Sequence, residues 1–177
     1  MQNIEIKAKY EDHTKLKLLT NNLGCEYVGL LHQVDTYYAT KSGRLKLREF
    51  INEKDRAAEL IPYAKDYSTG PMKSMYSVLK STEPENLKTI LDNILGVIAI
   101  VDKKREVYLY ENIRIHIDLV KDLGAFMELE AVYEENGPNA REKEVQKVNK
   151  LMNLLQVPKE NLLDKSYVDY LLSNENT

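Results

Sequence analysis

Tryptophan is absent from this chain of 177 residues, and cysteine occurs once, at Cys25. A lone thiol excludes an internal disulfide and fits a reducing compartment, and a chain of this length can build a core without one. Cys25 follows a helix-like stretch, and no sequence neighbour would lower its pKa, so packing is its expected use. No apolar run approaches the roughly 20 residues that cross a bilayer as a helix. The opening MQNIEIKAKY also lacks the basic leader and apolar stretch of a signal peptide. A cytoplasmic protein without a membrane partner is expected. Positive charge is not in excess either: 25 Lys and Arg against 28 Asp and Glu give a net charge of −3. That balance offers no global attraction to nucleic acid, so no nucleic-acid partner is expected. Any cationic chemistry must arise from local arrangement.

Several site patterns are missing as well. KDYSTGPMKS contains Gly70 but not the spacing of a phosphate-binding Walker loop, no GxGxxG occurs, and no Cys/His cluster suggests zinc.

What the sequence does contain is alternation. In NIEIKAKY, residues 3–10, Ile4, Ile6 and Ala8 point to one side of a strand, and Asn3, Glu5, Lys7 and Lys9 to the other. A helix follows over DHTKLKLLTNNLG, with Asp12 as N-cap, Leu16, Leu19 and Leu23 as its apolar stripe, and Gly24 at its end. LHQVDTYYAT and RLKLREF read as a hairpin about KSG, and AAELIPYAKDY and KSMYSVLKS as two strands joined by STGP. Thr82 and Glu85 have the spacing of a capping box, with Pro84 in the first turn of a helix running to about Leu95. Three strands follow, in VIAIVDKKREVYLYE, IRIHIDLV and AFMELEAVYE. Pro138 then starts a long amphipathic helix, and short helical pieces around Leu162 and Tyr170 close the chain. Tight turns between the later strands predict antiparallel pairing. About eight strands with few helices, and no linker or repeat, predict one α+β domain over residues 1–177.

The polar faces carry the functional signal. Arg44, Lys46 and Arg48 share one face of RLKLR, opposite Leu45 and Leu47. Lys103 and Arg105 share a face with Val107, and Arg114, His116 and Asp118 share another. Glu128 and Glu130 lie opposite Met127 and Leu129. A solvated face is the ordinary account of such a strand. Here cations gather on the middle strands and carboxylates on the first and last. Eight antiparallel strands can close into a barrel, and amphipathic helices can cover its apolar outside. Inward charges cost desolvation unless they are compensated. A tri- or polyphosphate with a divalent metal would compensate them, because Arg and Lys grip phosphate oxygens and Asp and Glu hold Mg²⁺ or Mn²⁺. His116 could exchange protons near neutrality, His13 is expected on a helix surface and His32 at a strand edge. The tyrosines of DTYY and YLY are expected to pack, with stacking on a base as the other option.

These motifs resemble a known family. NIEIKAK is similar to the ExExK signature of the CYTH, or triphosphate tunnel metalloenzyme, superfamily. RLKLRE, AELIPYAK, KKREVYLY, RIHIDLVKDLGAFMELE and LLDKSYVDYLL follow in the order associated with it. The resemblance spans nearly the whole chain and is nearest the branch of class IV adenylate cyclases. It implies an eight-stranded antiparallel barrel forming a tunnel, helices outside it, and Mg or Mn as cofactor. It implies a small-molecule triphosphate as substrate, either ATP cyclised to cyclic AMP and pyrophosphate or a triphosphate hydrolysed. It implies metal binding by Glu5, Glu128 and Glu130, and phosphate binding by Lys7, Arg44, Lys46, Arg48, Lys65, Lys103, Arg105 and Arg114. Catalytic roles would fall to Asp118, Glu128, Lys103 and Arg105. Family analogy also allows a homodimer through uncovered outer strands. Asn3 departs from the signature, which has Glu there. That leaves one metal on Glu5 and Glu128, a shifted substrate preference or a weakened enzyme as the alternatives. A binding protein that senses nucleotide or polyphosphate is the rival from outside enzymology.

Overall fold

A computed structural model describes residues 2–53, 55–65, 74–133 and 139–174. The alternating segments form strands β1 (Gln2–Lys9), β2 (Glu26–Tyr38), β3 (Arg44–Phe50), β4 (Ala58–Lys65), β5 (Ser74–Tyr76) and β6 (Leu79–Ser81). The second half adds β7 (Val97–Tyr110), β8 (Ile113–Val120), β9 (Gly124–Tyr133) and the two-residue β10 (Leu162–Leu163). Helices α1 (His13–Asn22), α2 (Pro84–Leu95), α3 (Ala140–Leu154) and α4 (Tyr167–Asn174) complete the α+β fold. All strands join one antiparallel sheet in the order β10-β1-β9-β8-β7-β2-β3-β4-β5, with β6 also on β4.

The expected α+β fold with an antiparallel sheet and packed helices is present; among the described residues the sheet has ten strands rather than eight and is not closed by a ladder. Among the described residues no ladder joins β5 to β1. Part of the β1 edge is taken by β10 instead, which pairs Leu163 with Lys7 and Leu162 with Ala8. The segment expected as helical around Leu162 is therefore this strand, entered by a single 3₁₀ turn at Lys159–Asn161. KSMYSVLKS divides into β5 and β6, both paired with β4. The Thr82/Glu85 capping box does not form. Glu83 is the N-cap, without a side-chain cap bond, although its N–H donates to Ser81 Oγ at 3.2 Å. The expected STGP turn and Pro138 lie outside the described residues.

The apolar positions of β1, β8 and β9 form the outer face. Ile4, Ala8, Ile113, Ile115, Ile117, Met127 and Leu129 pack with Leu16 of α1 and with Val148, Leu151 and Met152 of α3. Cys25 is half-buried against this core, as packing requires. The α2 side chains Leu87, Leu91 and Leu95 cover Tyr38, Leu47 and Ala58. The fourth helix departs from the expectation that helices stay outside. Tyr167 and Val168 of α4 pack on Tyr37, Ala99, Val101, Val120 and Phe126. Strand alternation sets those five on the same face as the charged residues, so α4 covers one end of the inner face. The tight β2–β3 hairpin needs Gly43, at φ +67°, because a Cβ there would stand 3.1 Å from the Tyr63 carbonyl oxygen.

Candidate functional site

Curling of the sheet brings the polar faces of β1 to β4 and β7 to β9 round a cavity of about 630 Å³. Glu5, Lys7, Lys46, Arg48, Lys103, Arg105, Arg114, Glu128 and Glu130 all line it. His116, Asp35, Gln33 and Tyr37 line it too. Strand register explains the convergence: Lys7 stands opposite Glu128, His116 opposite Glu128 on the other side, and Arg105 opposite Asp118.

Two expected residues fall elsewhere, and a third has no described side chain. Asp118, expected to have a catalytic role, is fully buried and does not line the cavity. It accepts from Arg105 Nε at 2.7 Å and Nη2 at 2.6 Å, and from the Tyr167 hydroxyl at 2.8 Å. Its place is thus behind Arg105, holding the guanidinium toward the cavity. Arg44 is also absent from the lining and pairs with Asp169 of α4. Lys65 ends β4, and its side chain lies outside the described residues.

Two charged centres divide the cavity. The first is built on Asp35, 1% exposed. Its carboxylate accepts from Lys46 Nζ at 2.9 Å, Arg48 Nε at 2.6 Å and Nη2 at 2.8 Å, and Lys103 Nζ at 3.2 Å. Three cations share one anion, which leaves a surplus of positive charge on a buried wall. Burial would raise the Asp35 carboxyl, but Arg48, Lys103 and Lys46 together hold it well below its ordinary range. Burial, with Arg48 and Arg105 adding repulsion, pushes Lys103 down to about 7 even though Asp35 opposes the shift. Burial and Arg48 likewise push Lys46 down to about 8. The Lys46 ammonium also lies 5.6 Å from the Tyr37 ring and 5.8 Å from the Tyr63 ring.

The second centre is built on Glu128. It pairs with Lys7 at 3.1 Å, Arg105 at 3.2 Å and His116 Nδ1 at 3.3 Å. Burial would raise its carboxyl, but Lys7 and Arg105 hold it well below its ordinary range. Burial would lower the Lys7 ammonium, yet Glu128 and Glu5 raise it above its ordinary value. Lys7 bridges Glu128 to Glu5, at 2.8 Å from the latter. Arg114 pairs with Glu130 at 3.0 Å.

The donor set of this centre suits a hard divalent ion. Asn3 Nδ2 donates to Glu130 Oε1 at 3.3 Å, while Asn3 Oδ1 is buried without a partner. An orphan carbonyl oxygen beside Glu5 and Glu130 is the kind of ligand that Mg²⁺ or Mn²⁺ accepts. As arranged, among the described residues no three His, Cys, Asp or Glu side chains form a ready-made metal cluster. The carboxylates are held apart by cations, and Lys7 stands between Glu5 and Glu128.

Sequence reasoning missed Asp35, Gln33 and Tyr167. Asp35 and Gln33 alternate with Tyr37 in HQVDTYY, which was the available signal. Tyr167, by contrast, reaches the site from a helix, where no strand pattern applies. The histidines also differ from expectation. His13 begins α1 with Nε2 3.1 Å from the Phe126 carbonyl oxygen. His32 is on an interior strand rather than an edge, 2.8 Å from Asp102. Tyr37 faces the cavity, whereas Tyr108 packs against Tyr27 at a centroid distance of 5.1 Å.

The fold recurs in known proteins. A Methanocaldococcus jannaschii protein, provisionally named an adenylate cyclase, is 26% identical over 96% of this chain and 98% of its own length. The structure of the Pyrococcus horikoshii protein PH1012 aligns with a TM-score of 0.79 at 19% identity, covering 94% of this chain and 98% of that one. A Hippeastrum protein described as an adenylyl cyclase candidate with dominant triphosphatase activity aligns with a TM-score of 0.68 at 13% identity, covering 100% and 97%. Residues 1–167 match the CYTH domain family. With the match running through every strand that lines the cavity, the chain belongs to the CYTH domain family.

Proposed function

We propose that this protein is a divalent-metal-dependent enzyme that converts a triphosphate held in the cavity, with cyclisation of ATP to cyclic AMP and pyrophosphate as the leading reaction. The observation that carries the reading is the buried wall on which, among the described residues, Lys46, Arg48 and Lys103 share Asp35 as their one anionic partner. Surplus positive charge in a desolvated pocket is costly, and a polyanion relieves it. Lys46, Arg48 and Lys103 would hold the phosphates at that wall by charge-assisted hydrogen bonds, and Arg105 and Lys7 those nearer Glu128. Asp118 and Tyr167 would keep Arg105 aimed and α4 would keep water from that end. Glu5, Glu128, Glu130 and Asn3 Oδ1 would hold the ion once Lys7 swings from Glu5 and Glu128 onto a phosphate. Bound there, the ion would supply charge neutralisation at the phosphoryl oxygens.

For cyclisation, the ribose 3′-hydroxyl gives up its proton, to water or to the departing pyrophosphate, as its oxygen bonds to the α-phosphorus, the bond from that phosphorus to the bridging oxygen breaks, and pyrophosphate leaves. Positioning and charge stabilisation carry most of such a step. Hydrolysis at the terminal phosphorus is the second reading. The same cations would hold the chain for it, and the Hippeastrum protein of similar fold is described as mainly a triphosphatase.

The deciding experiment offers the purified protein ATP or tripolyphosphate with Mg²⁺ or Mn²⁺ and separates the products chromatographically. Cyclic AMP with pyrophosphate is the expected outcome, whereas orthophosphate would establish the hydrolase. Arg105→Ala is expected to lower turnover at least 100-fold, since a cation aimed at transferring phosphate is commonly worth that much. Tight binding of both compounds with no product would leave a sensor.

A further inference from the structure

Lys7, Lys46 and Lys103 all line the cavity, and their support differs. Lys7 stands between two carboxylates, 2.8 Å from Glu5 and 3.1 Å from Glu128, with the Tyr167 ring centroid 4.7 Å away. Lys46 meets Asp35 at 2.9 Å and lies near the rings of Tyr37 and Tyr63. Lys103 is held least well. Its contact with Asp35 is 3.2 Å long and falls on Oδ2, which Lys46 Nζ and Arg48 Nη2 already approach at 2.9 and 2.8 Å. Its side chain is 4% exposed, and the Tyr167 ring centroid is 5.9 Å away. One oxygen cannot serve three donors equally, so the donor at the longest distance in the driest position gives up its proton first. Asp35, Arg48, Arg105 and Lys46 are the charged groups that act on it, and burial with the three cations brings it to about 7.

A neutral lysine amine is a nucleophile. Carbon dioxide is small enough to enter the cavity, and its adduct suits this wall because it is an anion. The amine nitrogen bonds to the carbon, one C=O electron pair moves onto oxygen, and a proton passes from nitrogen to water, leaving a carbamate. That group keeps one N–H to donate to Asp35, while its two oxygens accept from cations. Three cations around one anion thereby become two cations, Lys46 and Arg48, against two anions. The charge surplus that burial makes costly is removed without a bound phosphate.

We infer that Lys103 is a site of reversible carbamate formation with carbon dioxide, and that the carbamate and a polyphosphate exclude one another at the Asp35 wall. The site assignment stands on the wall alone, whereas the exclusion rests on the reading that the cavity holds a triphosphate. Carbon dioxide would then act as a brake on triphosphate binding, because the adduct occupies the same cations.

Chemical trapping on the native protein tests the site without a variant. Protein near pH 8 is equilibrated with isotope-labelled bicarbonate and its carbon dioxide, carbamates are fixed by an alkyl oxonium salt, and peptides are mapped by mass spectrometry. Label at Lys103 is expected to exceed that at exposed lysines by at least about tenfold, since its neutral fraction there is more than about 100 times theirs. Saturating tripolyphosphate is expected to remove most of it. Label at Lys103 no higher than at exposed lysines would overturn the inference and leave the triphosphate reading intact. Label that persists while calorimetry shows tripolyphosphate bound would overturn the exclusion. Tripolyphosphate that fails to bind in carbonate-free buffer would overturn the triphosphate reading, and the label at Lys103 would still decide the site. A second measurement compares tripolyphosphate affinity in bicarbonate and in acetate of equal ionic strength and pH. The native protein is expected to bind about threefold more weakly in bicarbonate, and Lys103→Arg equally in both. An equal loss in Lys103→Arg would mean that bicarbonate merely competes as an anion, and would overturn the brake.

Discussion

Asp35 shows what a single carboxylate does in a crowded charged wall. It accepts four hydrogen bonds from three cations, and without it Lys46, Arg48 and Lys103 would repel one another with little solvent to screen them. Breaking a buried ion pair from one side typically costs about 3–5 kcal/mol. Asp35→Asn is therefore expected to destabilise the protein by about 3 kcal/mol in urea unfolding, with part of the loss restored by saturating tripolyphosphate, which binds only the folded state. A midpoint equal to that of the native protein would mean that the three cations are not strained by proximity. The residue also marks how far the sequence could be read. Alternation assigned Lys7, Arg48, Lys103, Arg105 and Glu128 to one face, and all of them line the cavity. It could not give depth: Asp118 shares the parity of Arg114 and His116 yet lies beneath Arg105. Parity is a local property of a strand, whereas depth depends on which side chain of the neighbouring strand overlies it.

Elements raise the same issue at a larger size. The β7–β8 and β8–β9 connections are tight, and their antiparallel register is the one that the turn spacing implies. The short helix expected around Tyr170 exists as α4, but its packing partners come from β2, β7, β8 and β9. Such distant contacts leave no local pattern, and so its position over the inner face was not legible. The inner end of α4 is held by the Tyr167 hydroxyl on Asp118 and by Arg44 on Asp169. Tyr167→Phe keeps the ring on Phe126 and removes one donor from a carboxylate that Arg105 still satisfies. A loss of about 1.5–3 kcal/mol is expected in urea unfolding, the range of a hydrogen bond to a charged group. A second expected consequence is faster backbone hydrogen exchange in α4 with unchanged exchange in β8. Uniform acceleration in both would show that the helix and sheet open together and that the hydroxyl is no local clamp.

Over the whole molecule, a net charge of −3 encloses a wall with surplus positive charge. The protein limits the cost of that wall partly through proton loss. Burial first, then neighbouring cations, brings Lys103 to about 7 and Lys46 to about 8, against about 10.5 when exposed. Both groups are depressed lysines, so the folded protein holds fewer protons than the unfolded chain above about pH 7. Their contribution to stability therefore increases as pH rises from about 7 toward 10.5, where the unfolded lysines also lose their protons. Triphosphate binding reverses the balance, because several negative charges at the wall favour the protonated amines. Near pH 8 the free protein has Lys103 mostly neutral and Lys46 about half neutral, so binding is expected to take up about one proton. Calorimetry in two buffers of different ionisation enthalpy would measure that uptake. Affinity for tripolyphosphate is accordingly expected to fall as pH rises from about 7.5 to 9.5, and Lys103→Met to flatten the decline. Uptake near zero, or affinity constant across that range, would mean that both ammonium groups keep their protons in the free protein, with Asp35 alone compensating them.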